Sequence, residues 1–464
     1  MGDVIPIFHL ADLHGHLERV PKLATVLEHA REQVSRSLFF DCGDTFGDNA
    51  ICRSSGGAIT IELMNLLEID GWTPGNHELN AYGPEVLEAR SRDAHFPFLA
   101  ANVFDVRSGD TFPCMKETML KRVGRVTFGI LGLTRDYTGW EELDGVRFGN
   151  EVEHTRLALQ ALRDRADVIV VLSHLGYEAD KALAREVSDI DIILGSHSHR
   201  VLPNGEIVNG ILLCHSGCDG AFLGRVNVDT SGQVLDYELI PITKTVKDEP
   251  FFAELIPRLE MQAVKEYGLH RVIGKAKCHF HNGKEELETP FGNLMTDLVR
   301  KATDSDVAFV PRGALAPKIE PGEITLRHIY DSIPLDDGVV VLELPGATIK
   351  KLLDASLAEP YFHLFQSGLE VTCSPGREEG QRVCQVSQND QSLEDEKTYR
   401  VACTTFTARG GPVAATVFAF LRDGTPKLTR FTLTDLLLRH IHEVEAIEAT
   451  TDGRMSKVVI SNFG

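Results

Sequence analysis

The sequence predicts a layered α/β domain followed by a smaller α+β domain, and three observations lead there. Short apolar runs alternate with helix-like segments over the first half of the chain. Five of those runs end in Asp, Asn or His, as strands do when their carboxyl ends line a ligand crevice. And 464 residues exceed one ordinary core of roughly 150 residues.

The strand candidates are IPIFHL (5–10), SLFFD (37–41), the stretch about GWTPG (71–75), FPFLAANV (96–103), RVTFGILGL (125–133), DVIVVLSH (167–174) and DIDIILGSH (189–197). Between them PKLATVLEHAREQV (21–34) and GAITIELMNLLEI (57–69) carry apolar residues at three- and four-residue spacing, which predicts helices. GILLCHS and LGRVNVDTSGQVLDYELIPI read as terminal antiparallel strands turning at Thr230-Ser231-Gly232, so the first domain spans 1–243. A linker with one helix fills 244–275, with Phe252, Ile256, Leu259, Ala263 and Tyr267 on one stripe and a kink or restart at Pro257. The second domain spans 276–464.

Composition narrows the partners. The hydrophobic share of 43% and charged share of 25% are those of a globular protein. Against 68 Asp+Glu stand 47 Lys+Arg, a formal charge of -21 that repels nucleic acid and anionic membrane. A small phosphorylated substrate is compatible with that surface if something local and positive receives it. No run reaches the roughly 20 apolar residues of a membrane span. The opening MGDVIPIFHLADLHG lacks the features of a secretory signal, and nine scattered cysteines suit reduced thiols. A cytoplasmic location is the expectation.

The chemistry gathers at the five run ends. Asp12 and His14 follow the first run, Asp44 the second, Asn76 and His77 the third; His174 closes another, and His197 with His199 follows the last. Taken singly, each is more often a satisfied polar residue than a ligand. Together they point to metal. The pairs two residues apart are expected to face one way on extended backbone. Oxygen and imidazole donors without cysteine suit Mn or Zn, with Fe and Co as further options. The set exceeds one tetrahedral site and suits two ions about 3.5–4 Å apart. Two dications against two carboxylates leave the positive excess a phosphate requires.

DxH, GD, GNHE, SHLG and GSHSH, in that order, resemble the calcineurin-like metallophosphoesterases. ETPFGNLMTDLVR (288–300) and PGEITLRHIYDSIPLDDGVVVLELPGATIKKLL (321–353) narrow the resemblance to the 5'-nucleotidase family and extend it over essentially the whole chain. It implies a four-layer αββα catalytic domain and a C-terminal substrate domain. It further implies one metal on Asp12, His14, Asp44 and His199, and a second on Asp44, Asn76, His174 and His197, with Asp44 bridging. His77 would not ligate but would stand beside the phosphate. The implied reaction is in-line attack on phosphorus by a metal-activated water.

Three departures fall on the substrate side. The family motif usually continues GNHE with Phe-Asp, whose Asp pairs with the catalytic His; here Leu79-Asn80 follows. Asn80 is expected to accept a hydrogen bond from His77 without lending charge. The family's phosphate-binding Arg aligns with Ala316, leaving nearby Arg312 as either a substitute or a solvated loop charge. Its Gly-Gly-Asp-Gly-Tyr-like run appears as Gly410-Gly411-Pro412-Val413-Ala414. Phe406 aligns with one base-stacking aromatic, and Phe365 is a candidate for the other. The leading reading is therefore a dinuclear-metal phosphohydrolase of nucleoside monophosphates or a related small ester. The alternatives are a phosphodiesterase or pyrophosphohydrolase of cyclic nucleotides, dinucleotides or nucleotide sugars, and a non-catalytic metal- or nucleotide-binding protein.

Overall fold

A computed structural model describes residues 4–135, 145–281, 283, 286–334, 336–358, 362–409, 421 and 426–458, with backbone alone at 80 and 81. The chain divides into two compact units, Met1–Tyr267 and Gly268–Gly464.

The strands of the first unit's two large sheets are β1 (Val4–Leu10), β2 (Leu38–Asp41), β3 (Gly71–Trp72), β4 (Phe98–Leu99), β5 (Met115–Lys116), β6 (Thr118–Val123), β7 (Val126–Thr134), β8 (Val168–His174), β9 (Ile192–Gly195), β10 (Glu206–Val208), β11 (Ile211–His215), β12 (Phe222–Asp229) and β13 (Val234–Pro241). One sheet runs β13-β12-β1-β2-β3-β4-β5 and the other β10-β11-β9-β8-β7-β6. From β1 to β5 the first sheet is parallel, and β7, β8, β9 and β11 are parallel in the second. GILLCHS thus joins the second sheet beside β9; the antiparallel hairpin lies wholly within β12 and β13.

Alternation along the strands builds the layers. Ile5, Ile7, Leu38 and Phe40 of the first sheet meet Phe128, Ile130, Val168, Val170 and Ile192 of the second. The other face of the second sheet, with Leu131, Leu133, Val171 and Ile193, packs on the helices Glu151–Leu162 and Tyr177–Glu186. On the outer face of the first sheet, Leu10 lines one small apolar cavity together with Val20 of helix α1 (Val20–Glu32) and Leu63 and Met64 of helix α2 (Ala58–Leu66). This is the four-layer αββα order. Successive parallel strands present all their carboxyl ends along one edge, which is where the site is built.

The helix α3 (Pro250–Glu266) is not a free linker. Lys22 Nζ donates to the Val246 carbonyl at 2.9 Å, Thr25 Oγ1 to the Lys247 carbonyl at 2.9 Å, and the Glu249 N–H to the Pro21 carbonyl at 3.0 Å, so the segment docks on α1. Nor does α3 break at Pro257; the helix runs through it, and its start is set at Pro250, where the Glu249 side chain accepts the Phe252 N–H. Among the described residues no helix is long and apolar enough to cross a membrane.

The second unit centres on a five-stranded sheet. Its strands are β14 (Val307–Pro311), β15 (Gly338–Pro345), β16 (Leu364–Ser367), β17 (Thr398–Thr404) and β18 (Lys427–Thr432), ordered β16-β14-β17-β15-β18. Helices α4 (Pro290–Thr303) and α5 (Leu433–Glu443) bury Phe291, Met295, Val299, Leu433, Leu437 and Ile441 against Ala308, Val310, Val339 and Phe365 of that sheet. The ETPFGNL motif proves to be architecture. Thr289 caps α4 by accepting the Gly292 N–H at 3.0 Å. Buried Glu288 accepts from Asn293 Nδ2 and from the backbone of Asp452 and Met455, tying the distal chain to the helix start. A Cβ on Gly292 would lie 2.5 Å from the Phe365 ring, so only glycine lets helix and strand approach this closely. Replacing Gly292 with Ala should therefore destabilise the chain by about 1–3 kcal/mol through overpacking, measured by urea unfolding. An unchanged midpoint would mean that the Phe365 ring yields without cost.

Candidate metal centre

Five loops at the carboxyl ends of β1, β2, β3, β8 and β9 bring Asp12, His14, Asp44, Asn76, His174, His197 and His199 together. Their ligand atoms form overlapping groups within 4.8 Å: Asp12, His14 and His199; Asp44, His174 and His197; and His14, Asp44 and His77. The Asn76 Oδ1 lies 3.1 Å from His174 Nε2 and 3.2 Å from His197 Nδ1, completing the second group. Sharing of His14 and Asp44 between groups is what a two-ion site requires.

The pairs do not lie on extended backbone as the spacing predicted. Asp12, His14, Asp44, His197 and His199 all have left-handed φ, between 48° and 67°. The chain turns sharply off each strand, and the loops then bond to one another. Asp12, His14 and Gly15 donate their N–H groups to the carbonyls of Gly43, Asp44 and Thr45 at 2.9–3.0 Å, which continues the β1–β2 pairing past the strand ends. The Asp12 carboxylate accepts the His197 N–H at 2.9 Å, stitching the second sheet's loop to the first.

Three of the imidazoles are oriented by a hydrogen-bond partner. The His174 Nδ1 donates to the Cys42 carbonyl at 2.8 Å, which turns Nε2 to the Asp44 Oδ2 at 3.2 Å. The His14 Nδ1 donates to Asp219 at 3.3 Å, leaving Nε2 3.8 Å from Asp44. The His77 Nδ1 donates to Asp48 at 3.1 Å, with Nε2 3.9 Å from Asp44. His199, at 47% side-chain exposure, is the open side of the cluster.

The electrostatics fit cations. Burial pushes the Asp12 carboxyl up to about 7, with Asp44 adding to the push and His174 opposing it. Burial likewise raises Glu78 to about 7. Burial would raise Asp44 too, but the surrounding His174, His77 and His14 hold it well below the usual carboxylate range. Against the cost of burial, the Asp44 and Asp12 charges raise His174 to about 9. The cluster is thus set for positive charge, which divalent ions held by these donors would supply.

Three carboxylates eluded sequence reasoning. Glu78, the last residue of GNHE, accepts the N–H groups of Asp44, Phe46 and Gly75 at 2.7–3.0 Å, clamping two ligand loops. Asp48 lies four residues after Asp44 in GDTFGD, and its place in that acidic run was the available signal. Asp219 carried none. Gly75 is more than a turn residue, because a Cβ there would sit 2.1 Å from the Asp44 Oδ1.

The candidate substrate residues fare differently. The Asn80 side chain and Gly410–Ala414 lie outside the described residues. Arg312 is 6% exposed; its Nη2 donates to the Glu286 carbonyl and its guanidinium lies 5.4 Å from the centre of the Phe365 ring, so its charge is turned inward. Ala316 leaves the family's Arg position without a cation. Phe365 is 1% exposed in the core of the second unit and offers no face to a base, a correction to its candidacy. Its place on β16 explains it, since Phe365 pairs with Val310 and turns its ring under α4 against Gly292. Phe362, just before β16, instead lies parallel to Phe406, with centroids 6.4 Å apart and planes at 10°.

Comparisons with known proteins agree with this geometry. Residues 5–201 match the family described as calcineurin-like phosphoesterase, and residues 272–419 match the 5'-nucleotidase C-terminal domain. The chain is 25% identical over 451 residues to the uncharacterized metallophosphoesterase YunD of Bacillus subtilis, covering 92% of this chain and 96% of that one. It resembles the solved structure of a 5'-nucleotidase precursor from Thermus thermophilus with a TM-score of 0.71 at 25% identity, over 98% of this chain and 99% of the other. A putative 5'-nucleotidase from Staphylococcus aureus shares the fold with a TM-score of 0.79 at 22% identity, over 98% and 100% of the two chains.

Replacing Asp44 with Asn should lower bound metal below two ions per chain by elemental analysis, whereas replacing His77 with Ala should leave the content intact. Loss of metal in the His77 variant would make that ring a ligand, which the third group above is close enough to allow.

Proposed function

The chain belongs to the 5'-nucleotidase family, with a metallophosphoesterase domain followed by a 5'-nucleotidase C-terminal domain, and on that premise we propose that it hydrolyses nucleoside monophosphates or a closely related small phosphate ester. The observation that carries this reading is the convergence of the ligand set with His77 at its edge. Asp12, His14, Asp44 and His199 would hold one divalent ion and Asp44, Asn76, His174 and His197 the other, Mn and Zn being the best matches to these donors. When bound, the ions supply Lewis acidity and lower the pKa of the attacking water.

The remaining work falls to the protein's own groups. Glu78 and the interlocked loops hold Asp44 still, so little reorganisation accompanies the reaction. His77 Nε2 is directed to the same side as Asp44 Oδ2 and is suited to donate a hydrogen bond to an oxygen gaining charge. The parallel Phe362 and Phe406 rings supply aromatic surface that supports recognition of a planar base. All nine cysteines are free, which supports a reducing, cytoplasmic setting.

The test is product identification from a panel of nucleoside monophosphates, nucleotide sugars and cyclic nucleotides, with Mn, Zn, Co or Mg added to metal-stripped protein. Release of phosphate from the monophosphates above the other classes is expected. Preference for a diester would transfer the reading to a phosphodiesterase. Silence across the panel with two ions bound would favour a binding protein. In the same assay Phe406→Ala should raise KM for nucleotides by about tenfold, the loss of roughly one stacking contact, and leave KM for p-nitrophenyl phosphate unchanged.

A further inference from the structure

We propose that Asp48 is the positioning carboxylate of His77, supplying from the loop after β2 the negative charge that the residue after GNHE-Leu does not carry. This rests on the phosphohydrolase reading above. The Asp48 carboxylate lies 3.1 Å from His77 Nδ1, within hydrogen-bond distance, and both side chains are only about one-fifth exposed. Of the other acids nearby, Asp44 stands 3.9 Å from Nε2, too far for a hydrogen bond, and spends its Oδ1 on the His77 backbone N–H at 2.8 Å. Glu78 is occupied by three backbone donors.

The loop bearing Asp48 is built to hold it in place. The Tyr82 hydroxyl, five residues beyond His77, donates to the Gly47 carbonyl. Asn49 caps the short helix Ala50–Ser54 by accepting the Cys52 N–H at 3.0 Å, and its Nδ2 donates to the Gly15 carbonyl at 3.0 Å. Gly47 itself lies so close to the β1 loop that a Cβ there would be 2.5 Å from the His14 carbonyl oxygen. Asp48 is thereby flanked by anchored residues on both sides. The segment after GNHE contributes through Tyr82, which secures the loop that carries the charge.

The consequence is a fixed tautomer. With Nδ1–H committed to Asp48, the Nε2 edge alone faces the cluster. As water bonds to phosphorus and the ester P–O bond breaks, the electron pair stays on the departing oxygen; the His77 imidazolium gives that oxygen its Nε2 proton and is left as the neutral Nδ1–H tautomer that Asp48 holds. Asp48 remains a carboxylate throughout, and His77 regains its proton from solvent.

The experiment compares the wild-type chain with Asp48→Asn, Asp48→Ala, His77→Ala and the Asp48→Ala/His77→Ala double variant, each with its metal content measured. Asp48→Ala should lower kcat on a nucleoside monophosphate by about 10²-fold with KM little changed, the scale of lost general-acid assistance. It should cost p-nitrophenyl phosphate much less, because that leaving group departs without a proton. In the His77→Ala background it should cost nothing further, since a residue acting through His77 is not additive with it. Asp48→Asn should keep part of the rate by retaining the acceptor without the charge. Equal losses on both esters, additive losses, or loss of bound metal would each overturn the proposal. Nitrogen NMR of the His77 ring gives a readout apart from turnover: in the neutral ring the Nδ1–H tautomer should dominate in the wild type and give way in Asp48→Ala. If the wild type hydrolyses no ester, the phosphohydrolase reading fails by itself, and an Nδ1–H form unchanged in Asp48→Ala would separately sink the role of Asp48.

Discussion

The Asp44 carboxylate is held from every side, and the first unit's active edge is organised around that restraint. Its backbone N–H is given to Glu78, its carbonyl accepts from His14, and its Oδ1 accepts from the His77 backbone. Three imidazoles stand within 4 Å of its Oδ2. A carboxylate buried at 2% exposure is costly unless it is paired and hydrogen-bonded, and here it is both. The loops that provide those bonds come from β1, β2 and β3. Moving any one of them would expose the others to an uncompensated charge, and this couples the sheet edge into one rigid body.

The second unit applies the same economy to different ends. Its motif residues Glu288, Thr289, Gly292 and Asn293 cap a helix, admit a ring and tether the distal chain, and none of them is a reacting group. Asp337 does comparable work for the aromatic pair, accepting the Thr405 hydroxyl and the Phe406 N–H at the start of the helix Thr405–Arg409. The Phe406 ring is therefore aimed by a half-buried cap.

What could be read from the chain alone followed from periodicity and chemistry. Apolar runs ending in Asp and His marked strand ends, and parallel strands leave those ends no option but to converge. Contacts decided by loop conformation were out of reach. Asn80 was the partner the sequence offered for His77, whereas the left-handed turn at Asp44 and the Gly47 approach bring Asp48 to the ring. Phe365 and Phe362 differ by three positions in an aromatic-rich stretch; a place on β16 under α4, invisible in composition, buries the first. Arg312 illustrates a further limit, since a lone cation in a loop carries no sign of which way its stem folds. Pro257 signalled a break that the helix simply tolerates, because tertiary packing of Phe252, Ile256 and Ala263 outweighs one missing hydrogen bond.

The left-handed backbone at five of the ligand positions bears on how the protein can change over evolutionary time. Each such residue sits where most L-amino acids are disfavoured by of order 1–3 kcal/mol, while Asp and Asn are among the side chains that visit this region most readily. A change from Asp to Asn at position 12 or 44 therefore keeps the turn and discards the charge. A β-branched replacement would disrupt the turn itself. The centre is thus predisposed to lose its ions by a route that preserves its shape, so a descendant carrying that single change would retain the fold while its chemistry fell silent.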